Sequence, residues 1–342
     1  MTAVGAGAQE HGPVGQGPVG QGPVEQGTVD MTVDLAGARL RGPVMTASGC
    51  AAAGRELDAF TDVAALGAVV TKSVMLAPRS GRPTPRMAET PAGMLNSIGL
   101  QGGGVDALVE QDLPWLAARG ATAVVSVAGG DPDEFAEVAR RVVTSPAADG
   151  VAALEVNISC PNVANRGLVF ACDPGSSAAV LRAVRGAVGD EVVLLAKLSP
   201  DVTDLVAVAR ACLDAGASGL TAINTLLGVE VDVRTMRPRL AVTTGGLSGP
   251  AIRPVAVRCV WQLRAAMLAG LLPPAPVVGT GGVASGADAL QLVLAGASAV
   301  QVGTAVFADP TTPGRVAAGL AAMLAERGFG ALDEAVGHAH RP

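Results

Sequence analysis

The stretch VVLLAKLSPDVTDLVAVARACLDAGASGLTAIN, residues 192–224, decides the fold. It opens on an apolar run, Val192 to Leu198, without the polar alternation of a half-exposed strand, the pattern of a strand covered on both faces. Asp201 then precedes an apolar periodicity of helical spacing from Val202 to Ala215, Gly216 stops it, and a second apolar run follows from Gly219 to Asn224. An acidic side chain at a helix start and a glycine at its end are cap signals, so the stretch reads as strand, helix, strand.

The same unit recurs along the chain. Further apolar runs lie at Val44 to Ala47, Ala68 to Lys72, Ala123 to Val127, Ala153 to Ile158, Val277 to Gly279 and Ala299 to Val302. Helical spacing separates them at Val105 to Arg119, Pro132 to Val143, Ser177 to Val188, Ala251 to Leu268 and Gly286 to Ala295, with a last segment from Pro313 to Arg327. Eight buried strands interleaved with helices predict an α/β fold, a single (β/α)8 TIM barrel over residues 31–342, with a doubly wound open sheet as the alternative. Two connections, residues 73–104 and 226–249, exceed the usual βα loop and follow strands, which places them on the C-terminal face where barrel sites are built.

Composition narrows the function. The chain has 342 residues, with 24 basic against 30 acidic side chains, a net charge of −6 and 2% aromatics, so it offers neither the basic surface nor the stacking rings of a nucleic-acid binder. Five widely spaced cysteines form no disulfide framework or metal-ligand spacing, no apolar stretch is long enough to span a membrane, and no signal peptide precedes the fold. A cytoplasmic protein without a metal site is the expectation. Residues 1–30 hold a GPVGQ-type repeat from Gly12 that cannot bury enough surface to order itself, which predicts a disordered Gly/Pro/Gln-rich tail. The histidines are His11, His338 and His340, at the chain ends, so the body contains no imidazole for a triad or a general base.

Against that background the rare polar residues stand out. The only lysines are Lys72 and Lys197, and both sit at the ends of apolar runs, as do Asn157 and Asn224 among five asparagines. In a barrel these ends converge, so two cations and two amides meet at one site, suited to an anionic ligand. Cys160 stands in a Ser-Cys-Pro turn after one of these runs, whereas Cys212 and Cys259 fall inside helical periodicities as core fillers; a loop thiol can serve as nucleophile, metal ligand or proton-transfer group. Cys50 and Cys172 are unassigned. Gly279-Thr-Gly-Gly-Val after the seventh strand and Val302-Gly-Thr after the eighth offer backbone N–H groups where barrels bind phosphate. A phosphorylated cofactor such as FMN fits.

Taken together, Ala47-Ser-Gly-Cys50, the segment from Pro83 to Leu100, Asn157-Ile-Ser-Cys-Pro-Asn162, Lys197-Leu-Ser-Pro200, Ile223-Asn-Thr-Leu-Leu-Gly228, the segment from Thr244 to Ile252, and Leu294 to Val300 with Val302-Gly-Thr304 resemble the class 1 dihydroorotate dehydrogenases. The wording around Asn96 and Asn224 is most similar to type B, the catalytic FMN subunit. The resemblance implies oxidation of dihydroorotate to orotate in pyrimidine (UMP) biosynthesis, with Cys160 as the base at C5 and hydride transfer from C6 to FMN. It implies substrate contacts from Lys72, Asn96, Ser97, Ile98, Gly99, Leu100, Asn157, Asn224 and Thr225. It implies cofactor contacts from Ser48, Lys72, Ser73, Ser126, Asn157, Lys197, Ile223, Gly249, Gly281, Gly282, Gly303 and Thr304. A homodimer core is implied too, with a separate subunit carrying FAD and a 2Fe–2S cluster to NAD in a heterotetramer. One departure is Ser126, where the type B pattern has an asparagine. The competing readings are a dihydropyrimidine dehydrogenase-like flavoprotein, a fumarate-dependent type A enzyme, and a non-catalytic binding barrel.

Overall fold

Eight short parallel strands carry the architecture: β1 (Val44–Thr46), β2 (Val69–Val70), β3 (Ala123–Val127), β4 (Val151–Val156), β5 (Leu194–Leu198), β6 (Gly219–Ala222), β7 (Val277–Thr280) and β8 (Ala299–Val302). The structure is a computed structural model that describes residues 28–159 and 173–342. Most of the predicted tail, together with Cys160 and Cys172, lies outside the described residues. Each strand pairs with its neighbours in sequence, and β8 pairs with β1. A parallel bridge between Met45 and Ala68, with Gly67 N–H donating to the Val44 carbonyl at 2.8 Å, joins β1 to the start of β2 and closes the ring. A closed (β/α)8 barrel results, and the open sheet is excluded.

The strands are hydrophobic because they are covered on both sides. Val125, Val127, Leu154, Val156, Leu194, Ala196, Leu220 and Val300 are buried beneath the helices, while Met45, Val124, Leu195, Val278 and Ala299 fill the interior. Three of the helices begin at side-chain caps: Asp131 accepts from Glu134 N–H before Pro132–Val143, Asp173 from Ser176 N–H before Pro174–Val188, and Ser285 from Asp288 N–H before Gly286–Ala295. One predicted start is corrected. Asp204, not Asp201, caps the helix Leu205–Asp214, accepting from Ala207 N–H at 2.9 Å; the Asp201 carboxylate instead accepts from Leu227 N–H at 2.9 Å and anchors a long connection. The helix expected over Val105 to Arg119 is interrupted by a π-turn, Leu108–Asp112, between Gly104–Ala107 and Leu113–Ala118. Pro114 has no N–H to give the preceding turn, and the wider turn accommodates it.

The two long connections fold together. Met87–Thr90 and Gly93–Asn96 from the first pair antiparallel with each other, and Gly245–Ser248 from the second pairs with Gly93–Asn96 on one side and Leu226–Gly228 on the other. The result is a four-stranded sheet built from segments that follow β2 and β6, on the C-terminal side of the barrel. At Gly249, with φ of +90°, a Cβ would lie 2.6 Å from the Gly93 Cα, so only glycine allows the two connections to touch there. An N-terminal hairpin, Val33–Leu35 with Ala38–Leu40, precedes β1 and buries Leu35 and Leu40 in the same core.

Candidate active site

The C-terminal strand ends gather the rare residues as the sequence predicts, and hydrogen bonds join several into one chain. Asn224, just past β6, donates through Nδ2 to Asn157 Oδ1 at 3.3 Å, and Asn157 Nδ2 donates to Ser73 Oγ at 3.0 Å. Ser73 Oγ lies 2.9 Å from Ser126 Oγ, whose backbone N–H donates to Thr71 Oγ1 at 3.2 Å. Ser126 is fully buried, so its short side chain is satisfied by a second serine instead of reaching farther as an asparagine does. Each of the two amides keeps polar atoms for a ligand: Thr225 N–H holds Asn224 Oδ1 at 2.8 Å, which fixes that amide's orientation.

Lys197, on β5, belongs to a second cluster. Its Nζ donates to Glu155 Oε1 at 3.2 Å and to Gln301 Oε1 at 2.9 Å, while Gln301 Nε2 donates to Glu155 Oε2 at 2.6 Å. Thr280 Oγ1 also donates to Gln301 Oε1, at 3.0 Å. Glu155 is on β4 and Gln301 on β8, opposite strands of the ring, so their direct contact shows that both project to the barrel axis. The sequence reading missed Glu155, Gln301 and Thr280. The available signal was a charged or amide residue inside runs otherwise wholly apolar, Ala153-Leu-Glu-Val and Ala299-Val-Gln-Val.

Lys72, half-buried at the end of β2, has its Nζ 3.5 Å from the position a Cβ would take on Gly49. Close enough to feel both lysines is Cys50, unassigned from sequence. Burial pushes its thiol up to about 11, against the pull of Lys197 and Lys72, so it stays protonated at neutral pH. Ser48, beside it, follows β1.

The remaining predicted residues sit on the sheet over the mouth or on the last two turns. Asn96 Nδ2 donates to the Gly246 carbonyl at 3.2 Å, Ser97 Oγ accepts from Arg82 at 3.0 Å, and the Ile98 carbonyl accepts from Arg82 N–H at 2.9 Å. Gly99 and Leu100 both have left-handed φ, +76° and +55°. For Leu100 that conformation is strained, a feature that concentrates at binding sites. A cavity of about 240 Å³ borders Lys72, Ser73 and Leu100 and runs out toward Arg55 and Asp112. Ile223 follows a cis peptide bond from Ala222. Ser248, preceding Gly249, has its hydroxyl 2.7 Å from that of Thr304, which ties the covering sheet to the turn after β8. Among the described residues no protein acceptor takes the N–H of Gly282, Gly303 or Thr304. Thr304 opens a 3-10 turn, whose first amides have no partner within the turn. These amides fit an anionic group, and the lysine and amide clusters fit the polar edge of a planar heterocycle.

The family model for dihydroorotate dehydrogenase matches residues 30–324. The chain belongs to the dihydroorotate dehydrogenase family. Among its relatives is a protein named dihydroorotate dehydrogenase B (NAD(+)), catalytic subunit, from Trichlorobacter lovleyi, 49% identical over 90% of this chain and 97% of the relative. Proteins of the same name from Pelobacter propionicus, 49% identical over 90% of this chain and 98% of the relative, and from Geobacter sulfurreducens, 47% over 90% and 97%, are similar to the same extent. As a family member the chain is an oxidoreductase. Among the described residues no cluster of His, Cys, Asp and Glu could hold a metal ion, and no helix is long and apolar enough to cross a membrane.

Proposed function

We propose that this chain oxidises dihydroorotate to orotate as the catalytic subunit of a type B enzyme. The observation that carries the reading is the chain Asn224–Asn157–Ser73–Ser126 beside Lys72 and Lys197 at the mouth of a barrel of this family. Asn96, Asn157, Asn224 and Thr225 offer the donors and acceptors that the amide edges of a dihydropyrimidine ring require. Lys72 and the Ser97–Leu100 backbone meet its carboxylate. Cys160, on the connection after β4, removes the C5 proton; with no histidine in the body of the chain, a thiol is the side chain whose ordinary pKa comes nearest to neutrality.

FMN would be held by the amides of Gly281, Gly282, Gly303 and Thr304 at its phosphate, with Ser48, Ile223 and Gly249 alongside. Lys72, Ser73, Ser126, Asn157 and Lys197 would line its ring. When bound, it supplies the acceptor for the C6 hydride. Lys197 would place a cation against the flavin ring, and the covering sheet would shield the site from water.

The relatives' name, "catalytic subunit", supports a partner that carries electrons onward to NAD. In this reading an iron–sulfur centre and FAD belong to that partner, in a heterotetramer around a homodimer core. A cytoplasmic location fits the same reading.

An anaerobic visible spectrum tests the proposal. Bleaching of the flavin by dihydroorotate but not by dihydrouracil is expected, because only the former has the carboxylate for Lys72. Bleaching by dihydrouracil alone would favour the dihydropyrimidine reading. Reoxidation by fumarate without a partner would favour type A.

A further inference from the structure

We propose that Glu155 and Gln301 are positioning residues for the Lys197 ammonium, fixing where it sits and how much of its charge a bound flavin meets. The inference rests on the flavin reading of the site and goes beyond it to two side chains that touch neither ring nor substrate in that reading. A lysine ammonium has three N–H groups. Two are engaged inside the barrel, with Glu155 Oε1 at 3.2 Å and Gln301 Oε1 at 2.9 Å, and the third is left for a ligand.

The Gln301 amide cannot be turned over. Its carbonyl accepts from both Lys197 and Thr280, and its NH2 donates to Glu155 Oε2 at 2.6 Å; reversed, it would aim donors at the ammonium and its carbonyl at the carboxylate. Lys197, Glu155 and Gln301 therefore form a closed ring in which each holds the other two.

Stability gives little reason for such a ring. Lys197, Glu155 and Gln301 are 3%, 0% and 1% exposed, and a buried ion pair is commonly no better for folding than apolar side chains of the same size. The interior neighbours Leu195, Val278 and Ala299 show that this barrel is elsewhere filled in the apolar way. What the carboxylate does is anchor the ammonium and cancel part of its field. Among the described residues, the charged group in contact with the ammonium is Glu155 from β4. Cys50, from the connection after β1, feels both lysines, but burial pushes its thiol up to about 11, so it adds no charge in the neutral range.

The test is a sulfite titration of the FMN-loaded protein, followed by the visible spectrum and corrected for sulfite's own protonation. Sulfite adds to oxidised flavin and leaves negative charge on the ring, so its affinity reports the cationic field independently of turnover. In E155Q the ammonium loses the carboxylate that cancels part of its field, so sulfite should bind about fivefold more tightly than to the wild-type protein at neutral pH. The exchange variant E155Q/Q301E returns a carboxylate to the ring at the other position and should restore the wild-type affinity to within about twofold. K197M should bind sulfite about tenfold more weakly throughout, and adding E155Q to it should change affinity by less than about twofold.

Wild-type affinity in E155Q, an E155Q effect that survives in K197M, or unaltered affinity in K197M would each overturn the inference. The substrate reading fails separately, if dihydroorotate leaves the wild-type flavin unbleached while sulfite responds as expected. Failure of the chain to take up FMN would overturn both.

Discussion

Replacing Lys197 by methionine should destabilise the barrel far more than removing Lys197 and the Glu155 charge together. Methionine keeps the volume of the lysine stem but leaves the Glu155 carboxylate, with 0% exposure, facing the Gln301 amide alone. Breaking a buried pair by deleting one partner costs about 3–5 kcal/mol, because the survivor is an uncompensated charge. For roughly 300 described residues, at about 2.1 cal/mol/K of unfolding entropy per residue, that corresponds to a Tm lowered by about 5–8 °C. In K197M/E155Q the orphan charge is gone, and at least half of the lost Tm should return. Calorimetry of the FMN-loaded proteins reads both quantities. A K197M protein within about 2 °C of wild type, or a double variant no more stable than the single, would refute the argument that the pair is desolvated and mutually dependent.

Three further outcomes are expected. G249A should separate the two connections over the mouth, since a Cβ there meets Gly93 at 2.6 Å and φ is +90°; at about 2–4 kcal/mol of combined strain and clash, trypsin should cut faster after Arg234 and Arg239, and unchanged cleavage would count against it. S126A removes one hydrogen bond from Ser73 while the Asn157 bond remains, so FMN binding followed by fluorescence should weaken by about fivefold, the equivalent of about 1 kcal/mol; no loss would make the hydroxyl a packing group only. Brief iodoacetamide treatment at pH 8 should spare Cys50 and Cys212, whose thiols burial pushes up to about 11 and about 12, and Cys259, raised likewise, while loss of activity tracks Cys160 in the mass spectrum. Labelling of Cys50 as fast as Cys160 would contradict the upward push on its thiol.

What could be read from the sequence follows from where its signals are local. Buried parallel strands are continuous apolar runs, so β1 to β8 were visible within two or three residues, and the Asp131 and Ser285 helices begin and end at caps that chemistry makes recognisable. Asp201 misled because it has the cap residue type but is used by Leu227, 26 residues on, a choice that depends on where the long connection lands. The covering sheet was not legible for the same reason. Gly93–Asn96 and Gly245–Ser248 become strands only through each other, 150 positions apart, and neither alternates clearly alone. At the site, Lys72, Lys197, Asn157 and Asn224 stood out by rarity at strand ends.

The axial cluster has a further consequence for how a barrel of this composition supports a charged site. Strand interiors that are apolar up to the last turn exclude water and strengthen any charge placed above them, yet they also make a lone lysine costly to keep protonated. Glu155 and Gln301 resolve that conflict locally, because they lie on strands opposite each other and reach the axis together. Lys72 is half-buried and lies on the mouth side, where an anionic ligand can reach it. The inner lysine is thus fixed in place by the ring before anything binds, and the outer one stands where a ligand enters.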